Sequence, residues 1–502
     1  MRITNSMMIN NSLRDINNNK IALDKYNTQL STEKKIQKPS DDPIVAIRAL
    51  RFRSNLSELD QYLERNIPDA EAWLELTEDA LISAKSMIQG LEPYLVQGST
   101  ETLGTDERKA IIENLQAYRD QVFQDANADY ANRTIFTGYK TDKNMTFDVA
   151  EPDSKYVITQ KLTASSADTI YSVINKVEIG ETDYIPADET PNMVEAHRVR
   201  LAYDGLDTQA LNANTAVEVK KADGTVLFTT EQIYIEDGVY KNAAGQEVSP
   251  YEPPAGTAYL LVDSGEIVMS DDIYAKYEEA TVNDAELSVT YQKTGFSKGD
   301  LRPEHYFTCT RTENGVTTEL KFSGEPQDIE YTINFNQKLK VNTEGREVYS
   351  QDIVRDVDEL LKCTQYVDEL ETRLTDLDKR IANTTDEAVL KNLNSVKEAL
   401  EKERTMADEI LQKRFEEAIT EFQNHQQKFD LAITDVGNRC VRLSLNKQRL
   451  TSQQTNLEEL KSKNEDADMA ETAIMLTTAS DVYEASLSAT AKIMGNNLLD
   501  FI

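Results

Sequence analysis

The sequence predicts an α+β protein in which long antiparallel helices from both chain ends form a coiled-coil rod that carries an inserted β-rich region. Three observations lead there. Near the start, Ile9, Ile16, Leu23 and Leu30 recur every seven residues, the spacing of a seam that supercoils with a partner helix. After residue 350, Ile353, Leu360, Val367, Leu374 and Ile381 keep the same heptad, with Cys363, Leu370 and Leu377 three residues behind the middle three. Between these stretches the texture is β-branched and aromatic, and Asp-Gly and Asn-Gly pairs mark the turns of antiparallel hairpins.

In chain order, the first helix meets an interruption in "KIQKPSDDPIVAIRAL". Pro39 and Pro43 disfavour helical geometry at Lys38 and Asp42, so one helix must end before the next begins. Asp42 is placed to cap the new helix with Pro43 as its first residue. Pro39, Ser40, Asp41, Asp42 and Pro43 therefore specify a joint. The next helix carries Ile44, Ile47, Leu50, Leu56, Leu59 and Leu63, and a further helical stretch runs through Trp73, Leu76, Leu81 and Ile88. Gly and Pro punctuation precedes a third helix, expected over Asp106 to Ala131.

From Val149 to Gly345, "VKKADGTVLF", "IYIEDGVYKN" and "RTENGVTTELKF" read as hairpins. Eight of the twelve prolines lie in this region and none follows Pro326, so nothing in the last third forbids long helices. "IANTTDEAVLKN" turns the helix from Gln351 back on itself, and Val436, Leu443, Leu450 and Leu457 form a second seam. "KSKNEDADMAE" then restarts a last helix with Met469, Ala473, Leu476, Tyr483, Leu487, Met494 and Phe501 on one face. The simplest core pairs N-terminal helices with C-terminal ones and leaves the β region projecting outward.

Composition narrows the function. The 502 residues leave room for two to four domains. With 54 Lys and Arg against 88 Asp and Glu, the net charge of −34 repels phosphate backbones and anionic lipid, which excludes nucleic acid and membrane as partners. Cys309, Cys363 and Cys440 have no metal spacing and read as free thiols; His197, His305 and His425 are equally scattered. HExxH, GxSxG, P-loop and GxGxxG patterns are absent, so no enzyme, metal or cofactor is expected. The N-terminus has no apolar run of signal-peptide length, and no stretch approaches ~20 apolar residues. Cytoplasmic residence, or export without a cleaved signal, is the expectation.

Both ends need neighbours. Asn5, Asn10, Asn11, Asn17, Asn18, Asn19 and Asn27 are poor helix formers, and one seam cannot hold such a segment alone. The last segment, rich in Ala, Ser and Thr, is in the same position. Both read as segments that order on assembly.

"MRITNSMM", "LSTEKKIQKPSDDPIVAIRAL", "ANRTIFTGYKT", "ITDVGNRCVRLSLNKQRL", "LKSKNEDADMAETAI" and "SLSATAKIMGNNLLDFI" together resemble the flagellin superfamily, and within it hook-associated proteins of the hook–filament junction type (FlgL-like). The resemblance covers about residues 1–150 and 410–502. Ser40-Asp41-Asp42-Pro43, where flagellins usually carry a "DDAAG" pattern, Phe136-Thr137-Gly138 and the ending Leu498-Leu499-Asp500-Phe501-Ile502 are similar to the junction type. The Gln351 to Leu411 stretch is longer than the family leads one to expect.

The resemblance implies a terminal coiled-coil tube domain from residues 1–40 with 465–502, a helical core from 41–150 with 346–464, and an outer β domain at 151–345. It implies a structural adaptor of the bacterial flagellum, extracellular at the hook–filament junction, exported by the flagellar type III route without a cleaved signal peptide. Its partners would be further copies in a ring or short helical layer, a neighbouring hook-associated protein, flagellin and a cytoplasmic export chaperone. Ile9, Ile16, Leu23 and Leu30 with Leu476, Tyr483, Leu487, Met494, Leu498 and Phe501 are the expected assembly residues. The alternatives are filament flagellin itself, or a secreted adhesin whose β region binds through aromatics such as Tyr234, Tyr240 and Tyr251.

Overall fold

The computed structural model describes residues 5–100, 104–177, 190–207, 217–236, 239–282, 285–313, 315–322 and 324–495. Four helices open the chain: α1 (Asn5–Thr32), α2 (Pro43–Gln61), α3 (Ile67–Gly98) and α4 (Thr105–Asp125), with a π turn at Tyr62–Asn66 leading into α3. The start of α2 follows from its cap. Asp42, in extended backbone at φ −153°, accepts hydrogen bonds from the Ile44 and Val45 amides at 3.0 and 3.2 Å, and Pro43 takes the first helical position. On α3 the buried stripe is Trp73, Leu74, Leu81, Ala84, Ile88, Leu91 and Leu95, the three-to-four spacing of one helix face. At the start of α4 the Gly104 amide donates to Glu107 at 3.0 Å.

α4 stops at Asp125, short of the expected Ala131. The chain turns instead into a small hairpin, β1 (Asp129–Tyr130) with β2 (Arg133–Thr134), around Ala131 and Asn132 at φ 52° and 62°. Two consecutive left-handed residues close a two-residue hairpin and cannot continue a helix.

The insert is built on β3 (Glu151–Leu162), β4 (Ala167–Ile174), β5 (Asn192–Arg200), β6 (Glu218–Lys221), β7 (Val226–Glu236), β8 (Val239–Asn242), β9 (Ala258–Leu261), β10 (Glu266–Met269), β11 (Leu287–Phe296), β12 (Thr308–Glu313) and β13 (Val316–Leu320). These form one sheet in the order β13-β12-β3-β11-β6-β7-β9-β10-β5-β4, with β8 added to β7. Every pairing in it is antiparallel except β7 with β9. The Asp223-Gly224 turn joins β6 to β7 with Gly224 at φ 83°, and Gly315 at φ 78° stands in the β12–β13 turn. β7 and β8 pair as expected, though their Asp237-Gly238 turn lies outside the described residues. Alternation sends Leu260 and Ile267 into the larger apolar cluster and Leu261 and Val268 into a smaller one.

A helix inside the insert, α5 (Asp271–Val282), has no counterpart in the sequence reading. Its signal was a helix start at Ser270-Asp271-Asp272, followed by Ile273, Tyr277 and Ala280, which are buried. A second hairpin, β14 (Glu330–Asn334) with β15 (Gln337–Lys340), precedes the last three helices, α6 (Gln351–Asn383), α7 (Glu387–Glu465) and α8 (Met469–Gly495). The "IANTTDEAVLKN" turn is present, and Asp386 caps α7 by accepting from the Ala388 amide at 2.9 Å. On α6, Ile353, Leu360, Val367, Leu370 and Leu377 are buried, whereas Cys363, Leu374 and Ile381 are half-buried. The α7 heptad is longer than read: Phe415, Phe422, Phe429, Val436, Leu443 and Leu450 are all buried.

Contacts divide the chain into two compact units, Met1–Glu71 with Tyr331–Leu339 and Val441–Ile502, and Ala72–Glu330 with Lys340–Cys440. In the second unit α4 lies on α6 through Arg119 to Asp358 at 2.7 Å and Lys109 to Asp368 at 2.6 Å. The sheet is fastened to α6 and α7 by buried charge. Arg198, 2% exposed, meets Asp168, Glu266 and Glu359; Arg200 meets Asp356 and Glu359; Asp356 also takes His425 at 2.8 Å. The Val177 amide donates to Glu403 of α7 at 2.7 Å. Such pairs add little net stability when intact, but removing one partner strands the other in a dry site.

Candidate assembly interface

α1 and α8 pair antiparallel, with Asn19 donating to Ser486 at 2.6 Å and a β bridge between Lys34 and Asp466 beyond the helix ends. Ile9, Ile16, Leu23 and Leu30 are half-buried, as expected of a seam with one partner. The covered stripe of α8 differs from the expected one. It runs Thr472, Leu476, Ala479, Tyr483, Ser486 and Thr490, a four-three alternation that follows the helical period. Met469 and Leu487 are 41% and 42% exposed, and Ala473 is exposed too, so these three leave the packing face. The reason is that small and hydroxylated side chains occupy the α1-facing positions, and apolar character alone had assigned the face. The Met494 side chain, Leu498 and Phe501 lie outside the described residues.

Away from that seam the pair exposes apolar side chains among its polar ones. Met7, Met8, Leu13 and Ile21 of α1 and Ile474, Met475, Val482 and Leu487 of α8 are exposed. On α2 the buried residues are Ala46, Ala49, Leu56 and Leu59, whereas Ile44, Ile47 and Leu50 are 63%, 53% and 64% exposed. The stripe expected as core is surface at its N-terminal end.

The joint is a double one. α1 ends at Thr32, where Glu33 adopts φ 59°, well before Pro39. The connector then runs beside the one between α7 and α8. The Lys35 amide donates to the Glu465 carbonyl at 2.8 Å, the Ala467 amide to the Glu33 carbonyl at 2.9 Å, and the Lys34 ammonium to the Asp466 carboxylate. Arg53 of α2 forks onto Glu465 at 3.0 and 2.7 Å, and Asn464 donates to the Val45 carbonyl at 3.0 Å. Asp41 accepts from the Lys38 and Gln37 amides at 2.9 and 3.0 Å, which hold its carboxyl below the usual range. Asp466 is lowered likewise, by the Lys34 ammonium first and the Ser462 hydroxyl second. Asp468 caps α8 through the Ala470 and Glu471 amides at 2.9 and 3.1 Å. Sequence reasoning found both connectors, the first through its prolines and the second as the helix restart in "KSKNEDADMAE", but not that the two run side by side.

Phe136-Thr137-Gly138 closes the root of the insert. The Phe136 carbonyl accepts from the Gly345 amide at 2.7 Å, and the Tyr139 amide donates to Gln327 at 2.9 Å. Gly138 sits at φ 61°, and a Cβ there would meet the Gln327 side-chain oxygen at 2.5 Å.

The histidines are engaged structurally. His197 stacks on Tyr274 at 3.9 Å, His305 donates to the Asn144 carbonyl at 3.0 Å, and His425 meets Asp356. Among the described residues no group of His, Cys, Asp or Glu could hold a metal, and no helix is long and apolar enough to cross a membrane. Cys309, Cys363 and Cys440 form no disulfide among the described residues. Tyr240 and Tyr251 pack on the smaller sheet cluster and Tyr234 on the larger, so they serve packing first.

Residues 3–141 match the bacterial flagellin N-terminal helical region, and residues 416–502 match the C-terminal one. Flagellar hook-associated protein 3 of Escherichia coli is 33% identical over 197 residues, 36% of this chain and 61% of that protein. The Salmonella typhimurium protein of the same name is 35% identical over 144 residues, 28% of this chain and 45% of its own. The chain thus spans less than two thirds of either relative's length. A solved structure of a putative flagellar hook-associated protein from Vibrio parahaemolyticus aligns over 85% of this chain and 100% of its own at 11% identity, with a TM-score of 0.36. Flagellin helical regions are thus matched at both ends of the chain, and α1 and α8, which pair with each other, lie within them.

Proposed function

We propose that this protein is a structural adaptor of the bacterial flagellum, joining the hook side to the flagellin filament and acting without catalysis. The observation that carries the reading is the α1–α8 pair, which buries one seam and leaves apolar side chains exposed around the rest of its surface. Two helices alone leave most of that apolar area in water, and further copies packed around the pair would remove it. Those copies would form a ring or short helical layer, with a hook-associated neighbour on one side and flagellin on the other. Ile9, Ile16, Leu23, Leu30, Leu476 and Tyr483 set the pair, and Leu487 with the exposed residues of α1, α2 and α8 meets the neighbours. The division into a terminal tube, a helical core and an outer β region belongs to this reading, as do export without a cleaved signal and a cytoplasmic chaperone for the C-terminal helix.

The zipped connectors support a role for Pro39 to Pro43 in setting the path from α1 into α2. Immunogold labelling of flagella tests the proposal: label at one point near the cell body is the expected result, and label along the whole length refutes it. Filament flagellin is the second reading, favoured by 28% identity over 141 residues to a flagellin of Clostridium tyrobutyricum. Long filaments grown from the purified chain alone would establish it.

A further inference from the structure

Where the sheet meets α6 and α7, three guanidinium groups lie among three carboxylates. Arg198 and Arg200 of β5 and Arg414 of α7 converge on Glu359 of α6 at 2.7, 3.1 and 3.1 Å. Arg198 also takes Glu266 of β10 at 2.5 Å, and Arg200 takes Asp356 of α6. None of these six side chains is more than 18% exposed, so the inner charges cancel three against three. Asp168 of β4 and Glu417 of α7, which add to Arg198 and Arg414, are 40% and 42% exposed and are screened by water. β4 itself is held to α7 through Tyr171, whose ring carries the Lys413 ammonium at 3.8 Å, and through the Val177 amide on Glu403.

α7 brings a seventh ionisable group into this seam. Arg414, Ala418, Glu421 and His425 follow the spacing of one helix face, and Ala418 and His425 are buried while Arg414 reaches inward to Glu359. Glu421, half-buried in that stripe, has Asp356, Arg200, Glu359 and Arg414 as its charged neighbours and forms no ion pair among the described residues. One turn on, His425 meets Asp356 through Nε2 at 2.8 Å, and its buried Nδ1 has no partner among the described residues. Against burial, Arg200 and His425 hold Asp356 below the usual carboxylate range, and Arg198, Arg414 and Arg200 do the same for Glu359. The Cys363 thiol is pushed up to about 12 by burial first and Glu359 second, so it stays neutral. An ionised Glu421 therefore sets four inner carboxylates against three guanidinium groups, whereas a protonated one leaves them balanced.

We propose that this seam is a proton-controlled latch: a proton held on Glu421 keeps the sheet docked on α6 and α7, and its loss leaves a surplus carboxylate beside Asp356 that favours local undocking of β4 and β5. An unmatched charge in a dry site is costly, and opening the seam relieves the cost by hydrating it. In the closed seam Glu421 is pushed up from 4.5 to about 7, by burial first and Asp356 second. Opening returns it towards 4.5 and so releases the proton. The opening equilibrium accordingly grows as pH rises from 4.5 to 7 and is level above that.

The test is hydrogen exchange of the full chain between pH 5 and 8, with exchange times scaled to the intrinsic rate at each pH, read in peptides from β4 through Val177. Their protection is expected to fall roughly 50-fold over that range, most of it below pH 7. β12 and β13, at the other edge of the sheet, open by their own fraying and should show no such fall. Glu421→Gln keeps the shape of the side chain but cannot ionise, and should hold the protection of pH 5 throughout; His425→Gln should retain the fall. A level profile in the parent overturns the proposal even if Glu421→Gln does not fold. So does a fall shared equally by β12 and β13, or one that Glu421→Gln leaves intact.

Discussion

The α1 and α7 seams repeat every seven residues alike, yet they end in different surroundings. On α7, Phe415, Phe429 and Val436 are 0% exposed; on α1, Ile9, Ile16, Leu23 and Leu30 remain half-buried. A heptad specifies which face is apolar but not how many neighbours cover it. α1 has α8, which offers mainly threonine, serine, alanine and tyrosine, whereas the α7 seam is buried from Phe415 to Leu450. Full burial of a large apolar side chain is worth about 1.5–3 kcal/mol. Much of that sum is still unspent on α1, and that is the physical content of the assembly proposal.

The largest effects should separate the two seams. Phe429→Ala is expected to cost about 3–5 kcal/mol in urea unfolding, and Leu23→Ala less than about 1 kcal/mol in the isolated chain. Equal costs would mean that α1 is as enclosed as α7 in solution. Hydrogen exchange sharpens the point: amides of α1 and α8 should exchange by local opening while the buried stretch of α7 exchanges only on global unfolding.

Acid stability is next in size, and two groups in the enclosed unit act in opposite directions. Burial pushes the His305 imidazole down from 6.5 to about 4. As pH falls, the unfolded chain takes up this proton first, so up to about 3 kcal/mol of stability present above pH 6.5 is lost by pH 4. Glu421 is pushed up from 4.5 to about 7, by burial first and by Asp356 second. There the folded state takes the proton first, so stability rises as pH falls from 7 towards 4.5. Glu421→Gln should therefore steepen the loss of melting temperature between pH 7 and 5, and His305→Gln should flatten it. Identical pH profiles for the two variants would sink this account.

Smaller effects belong to the connectors. Asp42→Ala should cost about 1 kcal/mol through the lost cap. It should not fuse α1 to α2, because the left-handed Glu33 and the Lys35–Glu465 and Ala467–Glu33 hydrogen bonds remain. Helix content rising by a continuous α1–α2 span would show that the Asp42 cap alone divides them. Thiol labelling should not alter the fold at all. Without reductant, alkylation after unfolding should modify all three cysteines, and in the native protein Cys309, buried with its thiol pushed up to about 12, should react more slowly than Cys440.

Much of the architecture was legible because it rests on local rules. The Asp42 cap, the Asp-Gly and Asn-Gly turns and the α6 heptad each depend on residues within a few positions of one another. The misreadings share a cause. Ile44, Ile47 and Leu50 carry a core pattern on a surface, Leu487 carries one on the wrong side of α8, and the Ala131–Asn132 turn cuts α4 short although neither residue announces it. Burial depends on what arrives from elsewhere in the chain, and a stripe reports only its own face.

By itself, the sequence determined where α2 starts, where α6 turns back into α7 and where the last helix restarts, that both ends are helical, and that no common catalytic or metal motif is spelled out. Tertiary structure alone decided that Lys35 lies beside Glu465, that Arg198 gathers carboxylates from three elements, and that Arg355 reaches the Ser264 carbonyl and Asp204. Those relations join residues far apart in sequence through charge and hydrogen bonding, which have no period along the chain. Hydrophobic patterning repeats and can be read; a single ion pair between distant residues exists only once the fold has brought them together.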